Sequence, residues 1–86
     1  MSDDLKSQFE KAKEDVKGLS SRPADDDMLN LYALYKQASS GDVSGDPPGM
    51  FDFVGKAKHE AWSGLSGLSA EDAMTQYIEK VRALGA

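Results

Sequence analysis

The sequence predicts an all-α protein built as a small four-helix bundle. Four segments place apolar residues at spacings of three and four, the period of an amphipathic helix, and no segment shows the alternation of a half-buried strand. The chain has 86 residues, which suits a single domain over 1–86 whose helices share one core. Apolar residues make up 40% of the chain and charged residues 29%, as is typical of a folded domain.

The first two helices differ in how far their apolar residues spread around the helix axis. In the first helix these residues fall within an arc of about 80°, an ordinary core-facing stripe. They are Leu5, Phe9, Ala12, Val16 and Leu19. The second helix is expected to begin near Pro23 or Asp25 and to fade at 39–41. Its large apolar and tyrosine side chains cover about 220°, so it either lies between neighbours on two sides or keeps one face for a ligand.

A long loop and two shorter helices complete the predicted bundle. Ten of the thirteen residues from 40 to 52 are Gly, Pro, Ser or Asp, which are typical of turns, and loops of this length are often functional. The third helix is predicted over about 55–65, and Ser69 is the expected N-cap of the fourth. We expect three apolar residues at the end of the loop to contact the core: Met50, Phe51 and Phe53.

Composition argues against several classes of function. Fifteen acidic against ten basic residues give a net charge of −5, which disfavours nucleic-acid binding. The absence of cysteine and the single histidine exclude thiolate and multi-histidine metal sites. The longest uncharged stretch, 61–70, is too short for a spanning helix, so stable membrane insertion is not expected. The N-terminal segment lacks the pattern of a secretory signal, which makes the cytoplasm the expected location.

Motifs for catalysis or calcium binding are incomplete. Residues 64–68 approach a nucleophile elbow, but leucine replaces the last glycine and no strand precedes it. Residues 42–46 resemble the start of a calcium loop, but Pro47 and Phe53 occupy the positions that require glycine and a bidentate glutamate. His59 lies beside Glu60, and sequence neighbours on a helix do not face each other. We therefore expect a protein that is not an enzyme and holds no metal or cofactor.

The second helix carries a group of residues suited to a ligand. Met28, Tyr32, Tyr35 and Lys36 share one side of its helical wheel. Two tyrosines suit a ligand that is part apolar and part polar, and a lysine one turn from Tyr32 adds a charge that attracts phosphate. The alternative is that both tyrosines belong to the core and that the stem of Lys36 merely covers apolar surface. Spacing alone leaves both interpretations open.

Longer strings of sequence favour the ligand. The second helix contains Tyr-x-x-Tyr-Lys-Gln-Ala over 32–38, and Gly-Lys-Ala-Lys follows over 55–58. Pro-Gly-Met-Phe-Asp-Phe lies between them over 48–53, and Ser-Ala-Glu-Asp-Ala-Met follows over 69–74. In this order and spacing, from Phe9 to Val81, the chain closely resembles the acyl-CoA-binding protein family, known in animals as diazepam-binding inhibitor or endozepine.

This resemblance implies an up-down-down-up four-helix bundle whose bowl holds one long-chain acyl-CoA. The family's ligand-binding positions match Lys17, Met28, Leu29, Tyr32, Tyr35, Lys36, Lys58 and Tyr77. By that match, the tyrosines and lysine of the second helix and Lys58 bind the nucleotide and its phosphates, whereas Met28 and Leu29 form apolar wall. The implied function is a monomeric intracellular carrier of medium- and long-chain acyl-CoA, in transient contact with membranes and acyl-CoA-using enzymes. The alternative is a helical protein-interaction module without a ligand.

Three positions depart from the usual wording of the family. Pro47 stands where arginine is common, and Val54 stands where lysine is frequent. Both changes remove positive charge near the expected head group, so we expect a lower affinity than is usual. His59 stands where tryptophan is usual, which changes the packing at that position.

Overall fold

The computed structural model describes the backbone of residues 2–85 and the side chains of residues 4–85, so that Met1 and Ala86, the ends of the predicted domain, lie outside it. Four α-helices follow one another along the chain: α1 (Ser2–Lys17), α2 (Asp25–Ser40), α3 (Phe53–Ser63) and α4 (Ala70–Ala83). The described residues contain no strand, in agreement with the predicted all-α class. None of the described helices is long and apolar enough to cross a membrane.

Side-chain caps fix the starts of the last two helices. The Ser69 hydroxyl accepts a hydrogen bond from the Asp72 amide at 3.1 Å, which confirms the predicted N-cap of α4. The Asp52 carboxylate accepts one from the Gly55 amide at 2.9 Å and caps α3. A Cβ atom at Gly55 would collide with this carboxylate, so a larger residue there would force the Asp52 side chain to shift. Helix α3 therefore starts at Phe53, slightly earlier than the predicted 55.

The core forms where α2 and α4 meet, and α1 closes it on the α4 side. Helix α2 packs against both α3 and α4, and α4 also packs against α1. The buried cluster consists of Phe9, Ala12, Leu31, Leu34, Ala38, Ala73, Tyr77, Ile78 and Val81. Leu5 and Val16 pack against this cluster, as the stripe on the first helix predicted. An ion pair between Lys80 and Asp27, 2.6 Å long and partly buried, further joins α4 to the start of α2.

A polar network holds the beginning of the long loop. The buried Gln37 side chain donates from Nε2 to Asp42 Oδ1 and to the Leu68 carbonyl, both at 2.8 Å. The same Asp42 oxygen accepts the Gly67 amide at 2.7 Å. This backbone donor first, and Gln37 second, keep the pKa of the Asp42 carboxyl below its usual range. The network joins the end of α2 to the turn before α4.

The far end of the loop does not enter the core, so the expectation for Met50, Phe51 and Phe53 is wrong. Their exposed fractions are 72%, 83% and 73%. The turn instead closes through its backbone, because the Asp52 amide donates to the Gly49 carbonyl at 3.0 Å. The Asp52 side chain then caps α3. Polar contacts of Asp52, not the flanking apolar side chains, therefore secure this end of the loop.

Candidate functional site

A cavity of about 530 Å³ opens between α2 and α3, within the size range of ligand pockets. The lining residues are Arg22, Asp25, Met28, Leu29, Tyr32, Val54, Ala57 and Lys58. Helix α2 supplies Met28 and Leu29 from one turn and Tyr32 from the next, opposite the small and apolar residues of α3. The sequence left open whether the wide apolar arc of α2 packs on two neighbours or keeps one face for a ligand. In the structure this helix packs on both α3 and α4 and also faces a cavity.

Lys58 and Tyr32 meet across this cavity. The Lys58 Nζ lies 5.0 Å from the centre of the Tyr32 ring, a cation–π distance. The contact is made between α3 and α2, and it holds a positive charge over a partly buried aromatic face. A ligand that offers both an anion and a flat ring could engage the two residues together.

A smaller hollow of about 190 Å³ continues on the other side of Tyr32. Its lining residues are Val16, Met28, Leu31, Tyr32, Tyr35 and Tyr77. Met28 and Tyr32 line both hollows, so the two are adjacent. Tyr77 is buried and meets the ring of Phe9 edge-on, with the ring centres 5.1 Å apart. Burial, and to a lesser extent Tyr35, raises the pKa of the Tyr77 hydroxyl, which therefore remains a neutral hydrogen-bonding group.

An aromatic pair with a lysine above it borders this hollow. The rings of Phe9 and Tyr35 are stacked with their centres 6.4 Å apart, and the Lys13 Nζ lies 5.2 Å from each ring centre. Lys13 is also paired with Glu10 at 3.0 Å. Sequence analysis did not single out Lys13, although its position four residues after Phe9 places both on one face of α1.

The structure brings together most, but not all, of the predicted site residues. Met28, Leu29, Tyr32 and Lys58 line the main cavity, and Tyr35 and Tyr77 line the smaller hollow. The other two predicted residues have partners elsewhere. The exposed Lys17 is paired with Glu14 at 3.1 Å, and the Lys36 Nζ lies over the Trp62 ring, 5.0 Å from its centre. A ligand role for all eight residues, whether or not they line a cavity, stays a prediction.

Arg22 and Asp25 are cavity residues that the sequence analysis missed. The Arg22 guanidinium contacts the Asp25 carboxylate at 3.0 Å, and the two side chains are 72% and 87% exposed. Arg22 stands in the segment between α1 and α2, outside the helical periodicity, and only its basic character next to Pro23 could have drawn attention to it. An exposed ion pair is worth at most about 1 kcal/mol, so Arg22 can exchange Asp25 for a stronger anionic partner.

The chemistry of the cavity suits binding. Met28, Leu29, Val54 and Ala57 provide an apolar wall, while Arg22 and Lys58 place two cations beside it. No group of His, Cys, Asp or Glu among the described residues is arranged to hold a metal ion. His59 does not line this cavity, and its buried Nε2 atom has no hydrogen-bond partner among the described residues.

Comparison with known proteins identifies close relatives. Residues 6–81 match the family model described as acyl CoA binding protein. The chain is 52% identical over 83 residues to an acyl-CoA-binding protein homolog from Manduca sexta, covering 93% of this chain and 90% of the relative. The crystal structure of Oryza sativa acyl-CoA-binding protein 2 is similar with a TM-score of 0.88 and 41% identity, over 93% of this chain and 89% of that one. The crystal structure of the acyl-CoA-binding protein (ACBP) from Moniliophthora perniciosa is also similar, with a TM-score of 0.86 and 41% identity over 92% of this chain and 78% of that one.

Proposed function

This chain belongs to the acyl-CoA-binding protein family, and we propose that it binds medium- and long-chain acyl-CoA esters and carries them unchanged. The observation that carries this proposal is the main cavity, where an apolar wall stands beside Arg22 and Lys58. An acyl-CoA presents the same combination, because a hydrocarbon chain is joined to an anionic nucleotide. The carrier is a single cytoplasmic domain, acts as a monomer, and meets membranes and acyl-CoA-using enzymes transiently.

The energetics require both ends of the ligand to be engaged. Burial of hydrocarbon contributes about 0.8 kcal/mol per CH₂ group, so a sixteen-carbon chain offers at most about 12 kcal/mol. The loss of translational freedom and the ordering of the chain subtract from this sum. Nanomolar binding corresponds to about −12 kcal/mol, so contacts with the nucleotide must supply the remainder. Long acyl-CoA esters should therefore bind far more tightly than acetyl-CoA or a free fatty acid.

Nucleotide binding draws on cations whose present partners are weak. Lys58 and Arg22 already line the cavity, and Tyr32 and Tyr35 offer rings and hydroxyls beside it. Lys36 would leave the face of Trp62, a half-buried contact worth roughly 1–2 kcal/mol. A hydrogen bond between charged groups is worth about 1.5–3 kcal/mol, so a phosphate can compete for this lysine.

Calorimetric titration with a series of acyl-CoA esters tests the proposal. We expect the affinity to rise steeply from acetyl-CoA to palmitoyl-CoA, and we expect no free thiol to appear when palmitoyl-CoA is incubated with the protein. Equal affinities along the series would contradict a role for the apolar wall. Release of thiol would indicate a thioesterase, and a complete lack of binding would favour the protein-interaction module.

A further inference from the structure

Lys13 on α1 holds a positive charge against two aromatic rings. Its Nζ atom lies 5.2 Å from the centre of the Phe9 ring and 5.2 Å from that of the Tyr35 ring, and the two ring planes are only 21° apart. The Lys13 side chain is 27% exposed, against 76% for Lys11 and 71% for Lys17 on the same helix. A cation with little water around it interacts strongly with a nearby charge or acceptor.

This lysine stands at the edge of the smaller hollow. Tyr35 lines that hollow from α2, and Val16 lines it from α1. Val16 follows Lys13 by three residues, so the two side chains lie on the same face of the helix. The Lys13 ammonium is therefore placed beside any group that occupies the hollow.

The smaller hollow suits the base of a nucleotide. Its volume is about 190 Å³, whereas the main cavity, at about 530 Å³, offers the room that a long hydrocarbon chain needs. Three tyrosine rings line the smaller hollow, those of Tyr32, Tyr35 and Tyr77. Aromatic side chains stack on the faces of bases. In the proposed ligand this base is adenine, which has ring nitrogens that accept hydrogen bonds and is joined through ribose to a phosphate.

The present partners of Lys13 leave it available to such a ligand. The Glu10 carboxylate lies 3.0 Å from the Nζ atom, but its side chain is 56% exposed, and ion pairs that are open to water contribute little. An ammonium group has three N–H donors, and one carboxylate beside two aromatic faces does not occupy them all. A phosphate oxygen or a ring nitrogen can accept one of these donors while the lysine stem still covers the rings.

We propose that Lys13 is a further nucleotide-binding residue of this chain, and that its ammonium donates to an acceptor atom of the adenosine 3′-phosphate part of acyl-CoA. This inference rests on the proposed function and adds a position that the family resemblance does not supply. It also identifies a source of positive charge. Pro47 and Val54 provide none from the loop and α3, whereas Lys13 provides one from α1.

Calorimetry with two palmitoyl thioesters tests this role. One is palmitoyl-CoA, and the other is S-palmitoyl-4′-phosphopantetheine, which has the same acyl chain but lacks the nucleotide. The test variant is Lys13→Met, because an unbranched methionine still covers the two rings while the charge is lost. Lys13→Arg keeps the charge. The matched control is Lys11→Met, which removes the same charge from the same helix at a side chain that lines the separate groove between α1 and α4.

The binding of palmitoyl-CoA should weaken by about tenfold or more in Lys13→Met, as is typical when one charged hydrogen bond is lost. Lys13→Arg and Lys11→Met should stay within about threefold of the unsubstituted protein. All four proteins should bind the phosphopantetheine ester with affinities that agree within about twofold. Palmitoyl-dephospho-CoA, which lacks the 3′-phosphate, identifies the acceptor. With this ligand the loss in Lys13→Met disappears if the lysine donates to that phosphate, and it remains if the lysine donates to the base or ribose.

Three results would overturn the assignment. One is a loss in Lys13→Met no larger than that in Lys11→Met, which would leave only a general effect of charge. Another is an equal loss with the phosphopantetheine ester, which would remove the nucleotide from the explanation. The third is a failure of Lys13→Arg to retain binding, which would mean that Lys13 only holds the two rings in place. Each of these leaves the proposed function standing, because the unsubstituted protein still binds palmitoyl-CoA. If the unsubstituted protein binds none, the proposed function fails and the role of Lys13 fails with it.

Discussion

Arg22 and Asp25 line the same cavity with opposite charges, and we expect their removal to change ligand affinity in opposite directions. In Arg22→Gln, a bond to phosphate worth about 1.5–3 kcal/mol is lost. Against this stands the ion pair with Asp25, worth at most about 1 kcal/mol because both side chains are largely exposed. The net loss of about 0.5–3 kcal/mol corresponds to roughly 2- to 150-fold weaker binding. In Asp25→Asn, Arg22 is released and an anion leaves the cavity, so binding should tighten by up to about fivefold.

Calorimetry with palmitoyl-CoA and with coenzyme A alone measures both effects. The matched control is Arg82→Gln, which removes the same charge from a separate groove between α1 and α4. In the protein that carries both cavity substitutions, the gain from Asp25→Asn should shrink, because Arg22 is no longer there to be released. Equal losses for Arg22→Gln and Arg82→Gln would refute the reasoning, since they would reveal a long-range charge effect. Weaker binding in Asp25→Asn would also refute it, because Asp25 would then contact the ligand directly.

Three further predictions concern single residues. In Tyr32→Phe, stability should change little in urea melts, while palmitoyl-CoA binding should weaken by about 1 kcal/mol; lost stability with normal affinity would return Tyr32 to the core. His59→Phe removes a buried nitrogen that has no hydrogen-bond partner among the described residues, so the free energy of unfolding should rise by about 1 kcal/mol. In urea this appears as a higher midpoint at an unchanged slope, and a lower midpoint would contradict the prediction. The lowered pKa of Asp42 means that its carboxylate stabilises the fold above the unfolded pKa of about 3.9, and that this contribution is lost as the pH falls through the still lower folded pKa. As the pH falls from 5 to 3, the free energy of unfolding should therefore drop less for Asp42→Asn than for the unsubstituted protein. Parallel plots of this free energy against pH for the two proteins would contradict the prediction.

Local pattern was sufficient to predict the helices, and it failed where distant residues decide the structure. The apolar stripe of α1 and the Ser69 cap are read from neighbouring residues, and both agree with the structure. The loop depends instead on Gln37 and Asp42, whose partners Leu68 and Gly67 lie 31 and 25 residues further along the chain. No helical or turn signal encodes such contacts. The burial expected for Phe51 and Phe53 is wrong for a different reason: apolar character alone does not specify that a core partner lies within reach.

The candidate site shows the same division. Tyr32 and Lys58 were assigned through a family resemblance, since spacing along α2 left a core role open, and the structure places them in contact across the cavity. Arg22 belongs to no periodic pattern, and only folding brings it to the cavity wall. The partners of Lys17 and Lys36 also depend on side-chain positions that a sequence does not specify.

The contact between Lys36 and Trp62 should make the intrinsic tryptophan fluorescence of the protein sensitive to the position of Lys36. The chain has a single tryptophan, since position 59 is histidine, and all tryptophan emission therefore comes from Trp62. The indole is held in place by its Nε1 hydrogen bond to the Gly41 carbonyl at 2.8 Å, and the Lys36 ammonium lies over the ring. Indole emission responds to a nearby charge. A phosphate that draws Lys36 away would therefore change the fluorescence without touching the tryptophan, and the signal would follow the movement of one lysine.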